Sequence, residues 1–193
     1  MADRRFIHIL AHFDLIASIY DRLIGPPDTE RLRQLLNLPT NGWLLDGGGG
    51  TGRVSSHLNG LAAHVVVSDL SHRMLKKARE KKVCPVRAHV EHLPFANEFF
   101  DRILVVDALH HFCDQREAME DLLRVLKPGG RLVIEEPDLN HKGVKFLALA
   151  EKMLLMRSHF YTPQKIRKMI VSCGCSAKIE NDGRYTAWVV AVK

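Results

Sequence analysis

The chain has 193 residues, 46% of them hydrophobic and 26% charged, with four cysteines and a formal net charge of +6. That length suits one compact domain, and the composition excludes a disordered or disulfide-stapled protein. No apolar run is long enough to span a bilayer, and acids interrupt the apolar pattern of the opening MADRRFIHILAHFDLIASIYD, unlike a signal peptide, so a cytoplasmic protein is expected.

The first predicted element is a helical stretch from His12 to Leu23, ended by GPPD, which also starts a second helix over Asp28 to Leu36. Residues 1–40 are thus expected to form a helical lid over a core running from 41 to 193. From there strands and helices alternate: strand WLLD, helix GRVSSHL, strand HVVVSD, helix SHRMLKKAREK, strand VCPVRA, a loop, strand FDRILVVD, helix DQREAMEDLLRVL, turn KPGG and strand RLVIEE. Such alternation means right-handed crossovers and a parallel, doubly wound sheet. Asp114 and Glu117 give the helix before KPGG a capping signal, and Met119, Leu122, Leu123 and Leu126 give it an apolar stripe. Thr162-Pro163 reads as the cap and first turn of a last helix ending near Gly174. SAKIEN and RYTAWVVAV then flank Asp182-Gly183, a hairpin turn that joins only antiparallel neighbours.

The basic balance is concentrated in HRMLKKAREKK, residues 72–82, where Met74, Leu75 and Ala78 form an inner stripe and the lysines and arginines fall largely outside it. We read this run as a solvated helix face rather than a nucleic-acid footprint. Cys84, Cys113, Cys173 and Cys175 lack the paired C-x-x-C spacing of a zinc site, and no other ligand cluster calls for a metal.

Chemical information concentrates in LLDGGGGTGRV. Gly47-x-Gly49-x-x-Gly52 fits the dinucleotide fingerprint, while Asp46-x-Gly48-x-Gly50-x-Gly52 fits a methyl-donor loop, and both let a nucleoside approach the backbone closely. Asp69, at the end of the next strand, stands where either ligand places its ribose hydroxyls, and a carboxylate can accept from both. It could equally help cap the following helix. Three features favour a methyl donor over a nicotinamide: the charge of Asp46 suits a cationic ligand better than a pyrophosphate, the closing hairpin predicts an antiparallel strand, and a dehydrogenase would need a further substrate domain.

These motifs, with FDLIASIYDRL, VEHLPFANEFFDRI, DALHHF and LLRVLKPGGRLVIEEP in that order, resemble the class I S-adenosylmethionine-dependent methyltransferases, especially the UbiE-like branch that acts on quinones and other small molecules. The resemblance implies a Rossmann-like, doubly wound, mainly parallel seven-stranded sheet with a C-terminal antiparallel strand. It implies methyl transfer from S-adenosylmethionine, leaving S-adenosylhomocysteine. Carried over by position, Asp46, Gly48, Gly50 and Gly52 surround the donor's methionine and ribose, Asp69 holds the ribose hydroxyls, Leu70 and Met74 pack on the adenine, and Asp107 contacts the donor's amino group. Ala88-His89, before Val90, stands where relatives have a Gly-Asp whose acid accepts from the adenine amino group. A neutral His89 can accept and a protonated one cannot, so donor affinity is expected to fall at acid pH.

Methyl transfer is an in-line displacement that asks mainly for alignment and exclusion of water, with a base only where the acceptor must lose a proton. His110 and His111, after the strand ending at Asp107, are the candidates for that base, against a packing or capping role. Phe13 and Tyr20 are candidate lid residues, with Met156 and Phe160 on the acceptor side. The apolar VKFLALAEKMLLM is a core helix, an acceptor pocket or a homodimer contact. The expected acceptor is a small apolar or aromatic molecule, a quinone among them. RNA or protein methylation and donor binding without catalysis are the alternatives. Asp107-Ala108-Leu109-His110 is not the Pro-Pro-aromatic motif of base amino methylation, so a nucleic-acid partner is disfavoured.

Overall fold

The computed structural model describes residues 17, 20–139, 158–181 and 185–193. Phe13, Met153, Met156, the apolar run around them and the Asp182-Gly183 turn lie outside the described residues. The elements in chain order are α1 (Tyr20–Ile24), α2 (Thr29–Leu36), β1 (Thr40–Gly47), β2 (Ala62–Asp69), α3 (His72–Glu80), β3 (Cys84–Arg87), β4 (Phe100–Val106), α4 (Gln115–Val125), β5 (Leu126–Pro137), α5 (Pro163–Ser172), β6 (Ser176–Asn181) and β7 (Thr186–Val192).

The strands form one sheet in the order β3-β2-β1-β4-β5-β7-β6. The pairs within β3-β2-β1-β4-β5 are parallel, and β7 runs antiparallel to both β5 and β6. The order reverses between β1 and β4, and the carboxyl ends of strands at such a switch point leave a crevice that ligands use.

Alternation along the strands sends successive side chains to opposite faces. Leu45, Val66, Ile103, Val105, Ile134 and Val189 pack with Met119 and Leu122 of α4 and Ile166 and Ile170 of α5. On the other face Leu44, Val65, Val67, Leu104, Val133 and Val190 pack with Leu32, Leu35 and Leu36 of α2 and with Leu75 and Ala78 of α3. Each buried Leu, Ile or Val contributes roughly 1.5–3 kcal/mol, which is why both faces carry continuous aliphatic runs.

The helices start where their caps dictate. The Asp28 carboxylate accepts from Arg31 N, Ser71 Oγ from Met74 N, Asp114 Oδ1 from Arg116 N and Glu117 N, and the Thr162 side chain from Lys165 N. Each satisfies amides that the first helical turn leaves without partners.

Two expected elements differ. The helix over GRVSSHL is reduced to a single 3-10 turn at Ser55–Leu58, because Gly50 and Gly52 hold positive φ and the chain from Thr51 to Ser55 is buried in a tight loop. Lys127-Pro-Gly-Gly does not interrupt the chain as a free turn. It lies within β5, between the pairs Phe100↔Leu126 and Arg102↔Arg131, as a local bulge, and the Gly129 amide donates to the carbonyl of Lys193 at 2.7 Å.

Candidate active site

The glycine loop leaves β1 at its carboxyl end. Gly48 N and Gly49 N donate to the Ser68 carbonyl at 2.8 and 3.2 Å, Gly52 N donates to Gly49 O at 2.9 Å, and Gly50 N donates to Asp69 Oδ2 at 3.0 Å. Gly48 and Gly50 have φ of +72° and +54°, a region that side chains enter only at a cost. A Cβ on Gly48 would also stand 2.8 Å from Ala108 Cβ, whereas one on Gly50 would meet nothing nearer than 3.9 Å. The loop is therefore pressed against the β4 side at Gly48 and open above Gly50.

That opening is part of a cleft of about 790 Å3, counted out to its mouth. Gly48, Gly50, Asp69, Leu70, Ser71 and Met74 form one wall; Ala88, Val90 and Glu91 close one end; Asp107, Ala108, His111, Phe112 and Cys113 form the opposite wall, with Tyr20 over the top. Asp69 ties the first wall together, since its second oxygen accepts from Ser71 N at 2.8 Å.

The segment around α1 is fastened to the loop by charge. The Asp21 carboxylate accepts from Thr51 Oγ1 and pairs with Lys81 Nζ, while Arg53 donates to the Gly25 carbonyl at 3.0 Å and reaches Asp107 at 3.5 Å. These contacts hold Tyr20 over the cleft. Burial, with the charge of Asp107 beside it, pushes the Tyr20 phenol up to about 12, so near neutrality it stays protonated.

Asp107 adopts φ of +50°, an uncommon conformation for a residue with a side chain. Its surroundings impose it. The Asp107 amide donates to Glu135 O at 3.0 Å, and the next residues are seized by Glu136, whose Oε1 accepts from Ala108 N at 3.1 Å and Leu109 N at 2.8 Å while Oε2 meets His110 Nδ1 at 2.6 Å.

Several expected site residues stand apart from the cleft. His110 is buried, paired with Glu136 and stacked on the Phe160 ring at 4.2 Å between centroids; neither ring lines the cleft. Only His111 of the histidine pair does, with its Nδ1 3.4 Å from Ser158 Oγ. Asp46 lies beneath the loop, 1% exposed, with Oδ2 unpartnered among the described residues, and burial lifts its carboxyl to about 7. Gly52 packs inward, since a Cβ there would touch Val83 and Ala78. His89 is half-exposed at the outer side of Glu91 and is not part of the wall. For the buried ones each has its own reason: Asp46 and Gly52 face the packing beneath the loop, and His110 is drawn inward by Glu136.

Sequence reasoning missed Ser71, Glu91, Phe112 and Cys113 as lining residues, and Arg53 and Glu136 as supports. Adjacent acids closing an apolar strand, as in Ile134-Glu135-Glu136, were the available signal for Glu136. Among the described residues no group of three His, Cys, Asp or Glu side chains is placed to hold a metal ion.

Comparison with known proteins agrees with this geometry. Residues 45–134 match the methyltransferase domain family. The chain is 38% identical over 104 residues to the ubiquinone/menaquinone biosynthesis C-methyltransferase UbiE of Vibrio parahaemolyticus, covering 48% of this chain and 40% of that one. It is 36% identical over 140 residues to the demethylmenaquinone methyltransferase of Clavibacter sepedonicus, covering 66% and 57%. The matched stretches thus span about half the length of these relatives. Among solved structures, an S-adenosylmethionine-dependent methyltransferase from Thermotoga maritima superposes with a TM-score of 0.77 at 20% identity, covering 96% of this chain and all of that one. Phosphoethanolamine N-methyltransferase 2 of Haemonchus contortus, in complex with S-adenosylmethionine, gives 0.77 at 18% identity over 93% of this chain and 57% of that one. At these identities the structures establish the fold.

Proposed function

We propose, from the match of residues 45–134 to the methyltransferase domain family and the likeness to the UbiE and demethylmenaquinone methyltransferases, that this chain is a class I, UbiE-like methyltransferase that takes S-adenosylmethionine as its cofactor and transfers the methyl group to a small apolar or aromatic acceptor of quinone type. The observation that carries this reading is the cleft at the switch point of the sheet, with Asp69 and a positive-φ glycine loop on one wall and apolar side chains on the other. Quinone methylation is what the names of both sequence relatives state, and it favours a small molecule over RNA or protein.

The residues fit the methyl donor. Gly50 offers backbone with open space above it. Each Asp69 oxygen accepts an amide, and a carboxylate has acceptor sites to suit both ribose hydroxyls. Leu70 and Met74 face Phe112 across an apolar slot fit for a planar base. Asp107, anchored by Arg53, supplies an acceptor at the opposite end for an ammonium group. The donor supplies a sulfonium methyl, an electrophile that needs no further activation.

The protein's part is then alignment and exclusion of water. Tyr20 covers the cleft and, held as a phenol, donates hydrogen bonds without adding negative charge. His111, the histidine on the wall, is placed to take a proton from an acceptor that must lose one. The cytoplasmic location in this reading is supported by four cysteines that are all free thiols; among the described residues no helix is long and apolar enough to cross a membrane.

The test pairs calorimetric titration of S-adenosylmethionine and S-adenosylhomocysteine with a label-transfer assay on a demethylated quinone. Saturable binding and label in the quinone support the proposal. Binding with label transferred only to amines or RNA would replace the acceptor class, and absence of binding would overturn the reading altogether.

A further inference from the structure

His111 is the histidine on the cleft wall, and Nδ1 of its ring lies 3.4 Å from Ser158 Oγ. The serine is not part of the lining and comes from 47 residues further along the chain. Its place is fixed by its neighbours. The His159 amide donates to the His110 carbonyl at 2.8 Å, the buried Gln115 donates through Nε2 to the His159 carbonyl at 2.6 Å, and the Phe160 ring stacks on His110 at 4.2 Å. The backbone of His159 is thus gripped on both sides, by the turn Leu109–His111 that carries the cleft histidine and by the first residue of α4. One framework therefore holds both members of the Ser158–His111 pair, and Glu136 braces it from behind through His110. A separation of 3.4 Å is long for a hydrogen bond, as pairs that serve a substrate commonly are before it arrives.

We infer that Ser158 is a positioning residue for methyl transfer: its hydroxyl accepts from Nδ1–H of His111, which makes Nε2 the basic nitrogen of that imidazole and turns it to an acceptor that must lose a proton. This role rests on the proposed function and deepens it, because it names the reduced, hydroxyl-bearing form of a quinone as the form that is methylated. A neutral imidazole carries one proton between two nitrogens, and only the nitrogen without it is a base. Ser158 meets the ring at Nδ1 from outside the lining, so His111 reaches the cleft by its other edge. When the hydroxyl of the acceptor gives its proton to Nε2, the bonding pair stays on the acceptor oxygen and the imidazolium keeps Nδ1–H on the serine. An uncharged hydroxyl accepts in both states, so no rearrangement accompanies the proton. His110 does not compete for the role, since its Nδ1 is taken by the Glu136 carboxylate and its ring is buried away from the cleft.

Heteronuclear NMR of the nitrogen-labelled full chain, with the His111 signals identified by their loss in His111→Gln, reads the tautomer directly and without a substrate. Wild type is expected to carry the proton of the neutral ring on Nδ1. Ser158→Ala should move it toward Nε2, and Ser158→Thr, which keeps the hydroxyl, should hold it on Nδ1. Turnover of the reduced form of a demethylated quinone gives the second reading. In Ser158→Ala kcat is expected to fall about tenfold or more, part of what a general base supplies, with KM within about twofold of wild type and recovery of kcat in Ser158→Thr. A wild-type proton on Nε2, a tautomer indifferent to Ser158→Ala, or a change in KM alone would overturn the inference. Should Ser158→Ala not fold, the wild-type tautomer still decides. If the tautomer depends on Ser158 as expected and wild type methylates no reduced quinone, the pairing of Ser158 with His111 is upheld and the proposed acceptor is what fails.

Discussion

Asp69 and Gly50 are joined by a hydrogen bond from the glycine amide to Oδ2 at 3.0 Å, with Ser71 N on Oδ1 at 2.8 Å. One carboxylate thus ties the glycine loop on one side to the cap of α3 on the other. Asp69→Ala removes both anchors and the proposed ribose acceptor. S-adenosylhomocysteine affinity is expected to fall at least tenfold, about 1.4 kcal/mol, in calorimetry. Unchanged affinity would place the nucleoside elsewhere.

Gly49 is intolerant for a different reason. A Cβ there would lie 2.4 Å from Asp46 Cγ and 2.5 Å from Oδ2, and the buried Asp46 has no room to retreat. Gly49→Ala is expected to cost about 1–3 kcal/mol in urea unfolding and to lower donor affinity by displacing the loop. Gly60→Ala is the control: its φ of +82° carries strain but nothing lies within 4 Å, so stability falls without a change in donor binding.

The alternation of WLLD, HVVVSD and FDRILVVD with capped helices reveals the parallel sheet, and the placing of SAKIEN and RYTAWVVAV on either side of Asp182-Gly183 points to their antiparallel pairing, although the register Asn181↔Ala187 is not that of a two-residue turn. These signals are local periodicities and caps, which survive into the fold because the central strands are buried on both faces. That Gly48, Gly50, Asp69, Leu70 and Met74 would stand together was legible for the same reason: they belong to one loop or to the strand end and helix start beside it, and all line the cleft. Glu91, Phe112 and Cys113 were not, because their meeting depends on a long-range bond from Cys113 N to Glu91 that no spacing encodes. The adjacent histidines show the limit most sharply. His110 turns inward to Glu136 and His111 outward to the cleft, a division set by residues of β5 rather than by their own neighbours.

Glu136 offers the strongest test of how the β4 wall is built. Glu136→Ala leaves the amides of Ala108 and Leu109 and the His110 imidazole without their shared acceptor in a buried site. Loss of such a partner costs about 3–5 kcal/mol, and urea denaturation should show it. Glu136→Gln, which keeps one acceptor oxygen, should recover more than half of that loss. If both variants unfold at the wild-type midpoint, the turn is held by its other contacts and Glu136 is dispensable.

Two acids, the buried Asp46 and the partly buried Glu135, give the fold a pH dependence of definite sign. Burial lifts Asp46 from 3.8 to about 7, and burial together with the charge of Asp107 lifts Glu135 from 4.5 to about 8. Each has an oxygen without a hydrogen-bond partner among the described residues. A folded-state value above the unfolded one means that the native state binds more protons between the two, so stability falls as pH rises. The contribution is fully present below about pH 4 and is lost by the time pH has passed through the folded values, near 7 for Asp46 and 8 for Glu135. Asp21 and Asp101, where the effect of burial is outweighed by Lys81 and Lys127 so that both carboxyls are held down, act in the opposite sense at the acid end. The difference between wild type and variant is therefore the clean observable. Asp46→Asn should match wild type near pH 4 and become progressively more stable than it up to about pH 7, by no more than about 1.4 kcal/mol per pH unit. Glu135→Gln should do the same up to about pH 8. Parallel wild-type and variant curves across that window would mean that neither carboxyl holds its proton in the folded protein, and that water or a neighbouring cation reaches both.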